Sequence, residues 1–213
     1  MNCKLTSIKT IFFDFDGVIA DSVDIKTKAF AKLFERYGDE IVKKVVEYHL
    51  SHGGVSRYDK FRYYYQNFLG KKITDDEINI LDKKFSDIVY NEVLKAPFIE
   101  GALDFLDICD REGKNMFVIS ATPKKEIERI VKARGIDRYF RDVVGSPPTK
   151  DENLTYLIRQ YDIDPLKAVY FGDSPNDLEV AQKHLISFIP INYFDGSWSF
   201  KNFKEFMLEM GIK

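Results

Sequence analysis

The chain has 213 residues, 45% of them hydrophobic, enough for one domain or for a core carrying an inserted subdomain. Its 32 Lys plus Arg against 34 Asp plus Glu leave a net charge of −2, which gives no electrostatic footprint for nucleic acid or an anionic membrane surface. No stretch approaches the ~18 apolar residues of a membrane helix, and Cys3 and Cys109 form neither a metal nor a redox motif, so a cytoplasmic protein, monomeric or weakly dimeric, is the expectation.

An apolar run from Ile8 to Phe13 predicts a first strand, which feeds into Asp14-Phe15-Asp16-Gly17. Gly17 lets the backbone turn there. Two carboxylates and free backbone oxygens at a strand's C-terminal end suit a hard cation such as magnesium. A carboxylate held there can also attack phosphorus and form an aspartyl phosphate.

From Asp21 to about Ala96 the pattern is helical throughout. Apolar stripes at Ile25–Tyr37, Ile41–His49, Phe61–Leu69 and Ile78–Val93 recur at helical spacing and are broken by Gly38, Gly53-Gly54 and Gly70. Thr74 to Glu77 reads as a capping box for the last of them, and Pro97 closes the segment. Residues 21–95 are thus expected to form an all-helical unit with its own small core. The run Tyr63-Tyr64-Tyr65 reads as part of that core with one ring exposed, and His49 and His52 as packing or surface residues.

From Pro97 onward helices and strands alternate. Helices are expected at 101–111, 123–134, 152–161, 175–184 and 200–210, and strands at 115–120, 139–144, 168–172 and 187–191. The expected architecture is α/β, a Rossmann-like parallel sheet covered on both faces. The core would comprise residues 1–20 and 96–213. Ligands of such sheets sit beyond the carboxyl ends of the strands, so the residues just past each strand carry the information.

After the strand ending at Ile119 stands Ser120, followed by Ala121-Thr122-Pro123. Pro123 suits the first helical position, which makes Thr122 the cap and leaves the Ser120 hydroxyl to donate to a phosphate oxygen. Thr149 to Glu152 fits a second capping box and puts Lys150 in the first helical turn, against the helix dipole by about 0.3–1 kcal/mol. A lysine that offsets carboxylates and a phosphate has a reason to stand there. After the strand ending at Gly172 comes Asp173-Ser174-Pro175-Asn176-Asp177. Capping accounts for Ser174, Pro175 and Asp177; Asp173 is left as an acidic ligand for the metal.

These four groups, Asp14-x-Asp16-Gly17, Ser120, Lys150 and Gly172-Asp173-Ser174-x-Asn176-Asp177, resemble the haloacid dehalogenase superfamily in order and in placement after strands. The likeness covers essentially the whole chain and points to the branch with a helical cap inserted after the first motif, similar to phosphoglycolate phosphatase and β-phosphoglucomutase. It implies a magnesium-dependent phosphatase acting on a small phosphorylated metabolite. In that family's terms Asp14 is the nucleophile, Asp16 the general acid and then base, Ser120 with the neighbouring amide of Ala121 the phosphate holder, and Lys150 the cation beside them. Asp173 would bind magnesium with Asp14 and the backbone carbonyl of Asp16, with Asp177 beside it or behind it.

Gly54-Val55-Ser56-Arg57 resembles the substrate loop of β-phosphoglucomutase, so Gly54 and Arg57 are expected to face the substrate, with Lys60 and Lys84 to assist. Two departures favour a phosphatase over a mutase. Lys26 stands where the mutase has a gating histidine, and the motif at Gly172 has the Gly-Asp-Ser form of phosphatases. The presence of Asp16 argues against the dehalogenase members. Nothing in the sequence marks a cap lysine as desolvated, which argues against the imine-forming, phosphonate-cleaving members. A non-catalytic binding protein on the same fold predicts loss of a charged motif, and none is lost.

Overall fold

Thr10–Phe13 forms strand β1, and all four residues are buried. Ile11 and Phe13 join the apolar cluster on one face of the sheet and Phe12 the cluster on the other, as the alternation of side chains along a strand requires. A strand apolar on both faces needs cover on both, and the rest of the chain provides it. The structure is a computed structural model and describes residues 7–192 and 199–212; Cys3 lies outside them.

Five parallel strands are ordered β3-β2-β1-β4-β5. They are β1, β2 (Asn115–Pro123), β3 (Asp142–Ser146), β4 (Ala168–Gly172) and β5 (Ser187–Pro190). β1 lies between β2 and β4, with Phe13 level with Val118 and Phe171. Helices α5 (Ala102–Arg111), α6 (Lys124–Ala133) and α9 (Phe203–Met210) pack on the Phe13 face. There Phe105, Phe171 and Phe203 surround the Phe13 ring, each fully buried phenylalanine contributing about 1.5–3 kcal/mol. Helices α7 (Lys150–Gln160) and α8 (Pro175–Lys183) cover Phe12, Phe117 and Tyr170 on the other face.

Between β1 and α5 the chain leaves the sheet and returns along itself. Ala20 bridges antiparallel to Phe98, and Ile99 N–H donates to the Ile19 carbonyl at 3.0 Å. The excursion is helical: α1 (Val23–Phe34), α2 (Asp39–Ser51), α3 (Arg57–Tyr63) and α4 (Asp75–Lys95). Phe30, Phe34, Phe61, Tyr64 and Phe85 form its aromatic centre, all buried. Tyr64 and Tyr65 are inside and Tyr63 is 36% exposed, as the periodicity suggested. The Thr74 capping box forms, and Ala96 adopts the extended backbone demanded before Pro97.

Several elements differ from the sequence-based expectation. The third helical stripe splits into α3 and a π-helical turn at Tyr64–Phe68. β2 runs on to Pro123, because Pro123 pairs with Ser146 after a register shift. β3 begins at Asp142, since Tyr139 sits in a 3₁₀ turn with its ring buried. The last helix begins at Phe203, because Phe200 bridges to Ile191 and Asn202 supplies the cap.

Candidate active site

β1 ends at Phe13, so Asp14 is the first residue beyond the sheet's central strand. Its N–H still donates to the Phe171 carbonyl at 2.9 Å. Its carboxylate accepts from Phe15 N–H at 2.7 Å and pairs with the Lys150 ammonium at 2.9 Å. Lys150 is the first residue of α7, and its side chain is 1% exposed. It also pairs with Asp177 at 2.6 Å, so the position that opposes the helix dipole is occupied by a cation bonded to two buried carboxylates.

Asp173 follows β4, and Asp177 lies one helical turn further on. Asp14, Asp173 and Asp177 bring carboxylate oxygens within 4.8 Å of one another. Burial, with Asp14 and Asp177 adding repulsion, holds the Asp173 carboxyl well above the usual carboxylate range. Burial likewise outweighs the Lys150 ammonium at Asp14 and, with Asp177 and Asp16 adding to it, raises that carboxyl to about 7. Lys150 is raised: burial opposes its charge, but Asp14 and Asp177 prevail.

The donor set is oxygen only and crowded with negative charge, which fits a hard divalent cation. Asp177 is the most engaged of the three, accepting from Lys150, the Tyr170 hydroxyl (2.9 Å) and the Ser174 N–H and hydroxyl. It completes the capping box of α8 and stands behind Asp14 and Asp173. Gly17 has φ +84°, and a Cβ there would lie 2.0 Å from the Asp173 Oδ2. The glycine therefore serves both the left-handed turn and the seat of Asp173.

The Asp16 carboxylate lies outside this group of three. It accepts from the Ser22 hydroxyl at 2.6 Å, ion-pairs with Lys26, and meets the Thr122 hydroxyl at 3.3 Å. Lys26 also donates to Thr122 Oγ1 at 2.7 Å. Burial pushes the Asp16 carboxyl up, but Lys26 and Ser22 outweigh it and hold it below the usual carboxylate value. Lys26 was legible only as a departure from the mutase pattern. Its spacing of four from Ser22, the residue that precedes α1, puts both on the side that meets Asp16.

The expectation for Thr122 is overturned. The cap position of α6 is Pro123, with no side-chain cap bond, and the Thr122 hydroxyl turns to Asp16 and Lys26 instead. The Ser120 hydroxyl accepts from Thr122 N–H at 3.1 Å, which leaves its own hydrogen to donate, and the residue is 1% exposed. Ala121 and Thr122, not Ser120, line the cavity above Asp14.

That cavity has a volume of about 790 Å³ and is walled on one side by Asp14, Asp16 and Asp173 and on the other by the helical insertion. The insertion rests on the core at several points. A Cβ on Gly53 or Gly54 would meet Ser174 at 2.7 and 2.9 Å, so the glycine pair permits that approach. Gly54 lines the cavity as expected.

Arg57 lines it too, and part of its fork is tied to carboxylates of α4 and α6. Nη2 donates to Glu126 of α6 at 2.6 Å, and Nε lies 2.8 Å from Asp82 of α4. Ser86 also donates to Glu126. The Asp82 contact lacks hydrogen-bond alignment, leaving Nε and Nη1 without a bonded partner. A sequence gives no sign of this, because Glu126 is 69 residues away. Lys84 is exposed and absent from the cavity wall. Lys60 and His49 are buried, and both line the cavity. Burial pushes the Lys60 amine down to about 7 and His49 to about 2, so the structure, unlike the sequence, does mark one cap lysine as desolvated. His52 stacks on Tyr48 at the surface.

Comparison with known proteins agrees with this arrangement. Residues 11–191 match the family model described as haloacid dehalogenase-like hydrolase. A phosphoglycolate phosphatase of Haemophilus influenzae is 24% identical over 181 residues, covering 81% of this chain and 80% of its own length. One of Pasteurella multocida is 23% identical, covering 89% and 88%. The structure of a predicted phosphoglycolate phosphatase from Haemophilus somnus superposes with a TM-score of 0.73 at 19% identity, covering 95% of this chain and 98% of the other. A β-phosphoglucomutase of Clostridium difficile superposes with 0.74 at 18%, covering 93% and 88%. With more than four-fifths of its length inside the family model and the same helical-cap fold as these structures, the chain belongs to the haloacid dehalogenase-like hydrolase family.

Proposed function

We propose that this phosphatase is magnesium-dependent and hydrolyses a small phosphorylated metabolite, of the sugar phosphate or phosphoglycolate type, through an aspartyl phosphate on Asp14. One observation carries the reading: the Asp14 carboxylate is held by Lys150, crowded by Asp173, and set at the floor of a cavity roofed by residues 21–95 acting as a cap.

Asp14, Asp173 and the backbone carbonyl of Asp16 would hold the magnesium, with Asp177 behind them; the bound ion would neutralise phosphate charge. An Asp14 oxygen attacks phosphorus in line, and the bond from phosphorus to the substrate's alcohol oxygen breaks. The departing oxygen takes a proton from Asp16. In the resting site Asp16 is ionised, held so by Lys26; a phosphate dianion beside it raises its pKa by like-charge repulsion and so loads it with that proton. Once the alcohol has left, ionised Asp16 takes a proton from water, the water oxygen attacks phosphorus, and the bond to Asp14 breaks to release phosphate. Lys150 balances charge throughout, and the Ala121 backbone amide with Ser120 behind it frames the phosphate. A roofed cavity of this size suits a small ester and excludes a folded phosphoprotein.

The test is phosphate release from a panel of small phosphate monoesters with magnesium, run beside Asp14→Asn. Release by wild type and not by the variant is expected. Release by both would remove Asp14 from the reaction, and interconversion of hexose phosphates without release would replace the phosphatase by a mutase.

A further inference from the structure

Lys60 lies on α3 and is 3% exposed. Its bonded partner is not a carboxylate but a ring: Nζ sits 2.8 Å from His49 Nδ1 on α2, and 3.4 Å from the His49 carbonyl. The Phe30 ring lies 5.6 Å away. The other cations lining the cavity are neutralised, Lys26 by Asp16 and Arg57 by Asp82 and Glu126. Among the described residues lining it, Lys60 alone is a cation with no carboxylate within 4.0 Å.

A buried ammonium without a counter-charge is costly, and the amine's depressed pKa of about 7 records that cost. Burial is its first cause. Lys26 on α1 and Lys150 on α7 push it further down, while Asp173 and Asp16 of the core pull it up. His49 is neutral. An ammonium has only hydrogens to offer, so His49 Nδ1 accepts and the ring hydrogen lies on Nε2. That Nε2 is buried and meets no hydrogen-bond partner among the described residues. One wall of the catalytic cavity therefore carries a cation that no carboxylate neutralises, with His49 behind it. A single positive charge matches a single carboxylate. A second phosphate dianion fits less well, because Asp24, Glu47 and Glu126 line the same cavity.

We propose that Lys60, backed by His49, is the specificity residue that recognises a carboxylate on the substrate's leaving group, so that the preferred substrates are phosphate monoesters of small hydroxy acids. The inference rests on the phosphatase reading above and narrows it. Binding the acid returns Lys60 to a charged pair and takes up a proton wherever the free amine was neutral.

The test compares phosphoglycolate with 2-hydroxyethyl phosphate, which differ only in carboxylate against hydroxymethyl, on the full-length chain with magnesium. Wild type at pH 6.5 is expected to favour the acid in kcat/KM by about 30-fold or more, the usual loss when one partner of a buried charged pair is missing. Above pH 7 the preference falls roughly tenfold per unit as the free enzyme's amine loses its proton. Lys60→Met should lower kcat/KM for the acid by the same 30-fold or so, chiefly through KM, lower it far less for the neutral ester, and remove the pH dependence of the preference. Its thermal stability should equal or exceed wild type, because a buried unpaired charge has been replaced by an apolar isostere.

A wild type that treats the two esters alike overturns the inference, as does a variant that loses both equally. A borohydride-trapped adduct of glycolaldehyde phosphate on Lys60 overturns it in favour of covalent amine chemistry. Release of phosphate from neither ester nor any other monoester sinks the phosphatase reading itself, which the two-ester comparison keeps distinct.

Discussion

Replacing Asp14 with asparagine is expected to abolish turnover and, at pH 8 without metal, to stabilise the protein. The Asp14 carboxyl is raised from 3.8 to about 7, with burial outweighing its ion pair to Lys150. A raised acid contributes stability in full below its unfolded pKa of 3.8 and loses it as pH climbs to about 7, because the folded state binds the extra proton in between. Three units at 1.36 kcal/mol each mean that by pH 8 burying the Asp14 charge has cost folding about 4 kcal/mol relative to acid pH, where the group folds neutral. Asparagine has the shape of the neutral form and no charge. It gives up the pairing with Lys150, so a gain of about 2–4 kcal/mol is expected, or roughly 5–15 °C in Tm for a chain of this length. Urea titrations in a chelator at pH 8 and pH 5 measure it. The gain should shrink at pH 5, where the wild type carries the proton, and should reverse in saturating magnesium, where only the wild type offers the full ligand. A variant less stable than wild type at pH 8 in chelator would refute the argument that this site stores repulsion for a cation to relieve.

Lys26→Met should remove the main group that holds the Asp16 carboxyl down and so raise it, moving the limb of the kcat/KM pH profile that Asp16 governs to higher pH; an unmoved limb would remove Lys26 from the control of Asp16. Glu126→Ala should strand the buried Arg57 with Asp82 alone and cost about 2–4 kcal/mol in urea titration. Because Glu126 belongs to the core and Arg57 to the cap, limited proteolysis in the 51–56 loop should also quicken, and unchanged cleavage would mean the pair does not hold the cap down.

Periodicity, caps and turn residues act over a few positions, and whatever depends on them was legible in the sequence. The apolar run into Asp14, the capping boxes at Thr74, Thr149 and Ser174, and the position of Lys150 all form as read. The order of motifs at strand tips then implied Asp14, Lys150 and Asp173 as neighbours, since parallel strands deliver their C-terminal ends to one edge of the sheet. The differences fall where a side chain meets a partner far along the chain. Thr122 was assigned to its own helix and instead meets Asp16, 106 residues away. Arg57 was assigned to the substrate, and the structure shows one arm of its fork on Glu126 of α6, 69 residues away. Lys60 looked like any lysine of a helical face. Only packing of α1, α2 and α3 around it removed its water, gave it a histidine in place of a carboxylate, and pointed to recognition of an acid. The sequence by itself determined which residues could do chemistry and on which strand ends they stand; the tertiary structure alone decided their charge, because desolvation and distant counter-charges are properties of the packed chain.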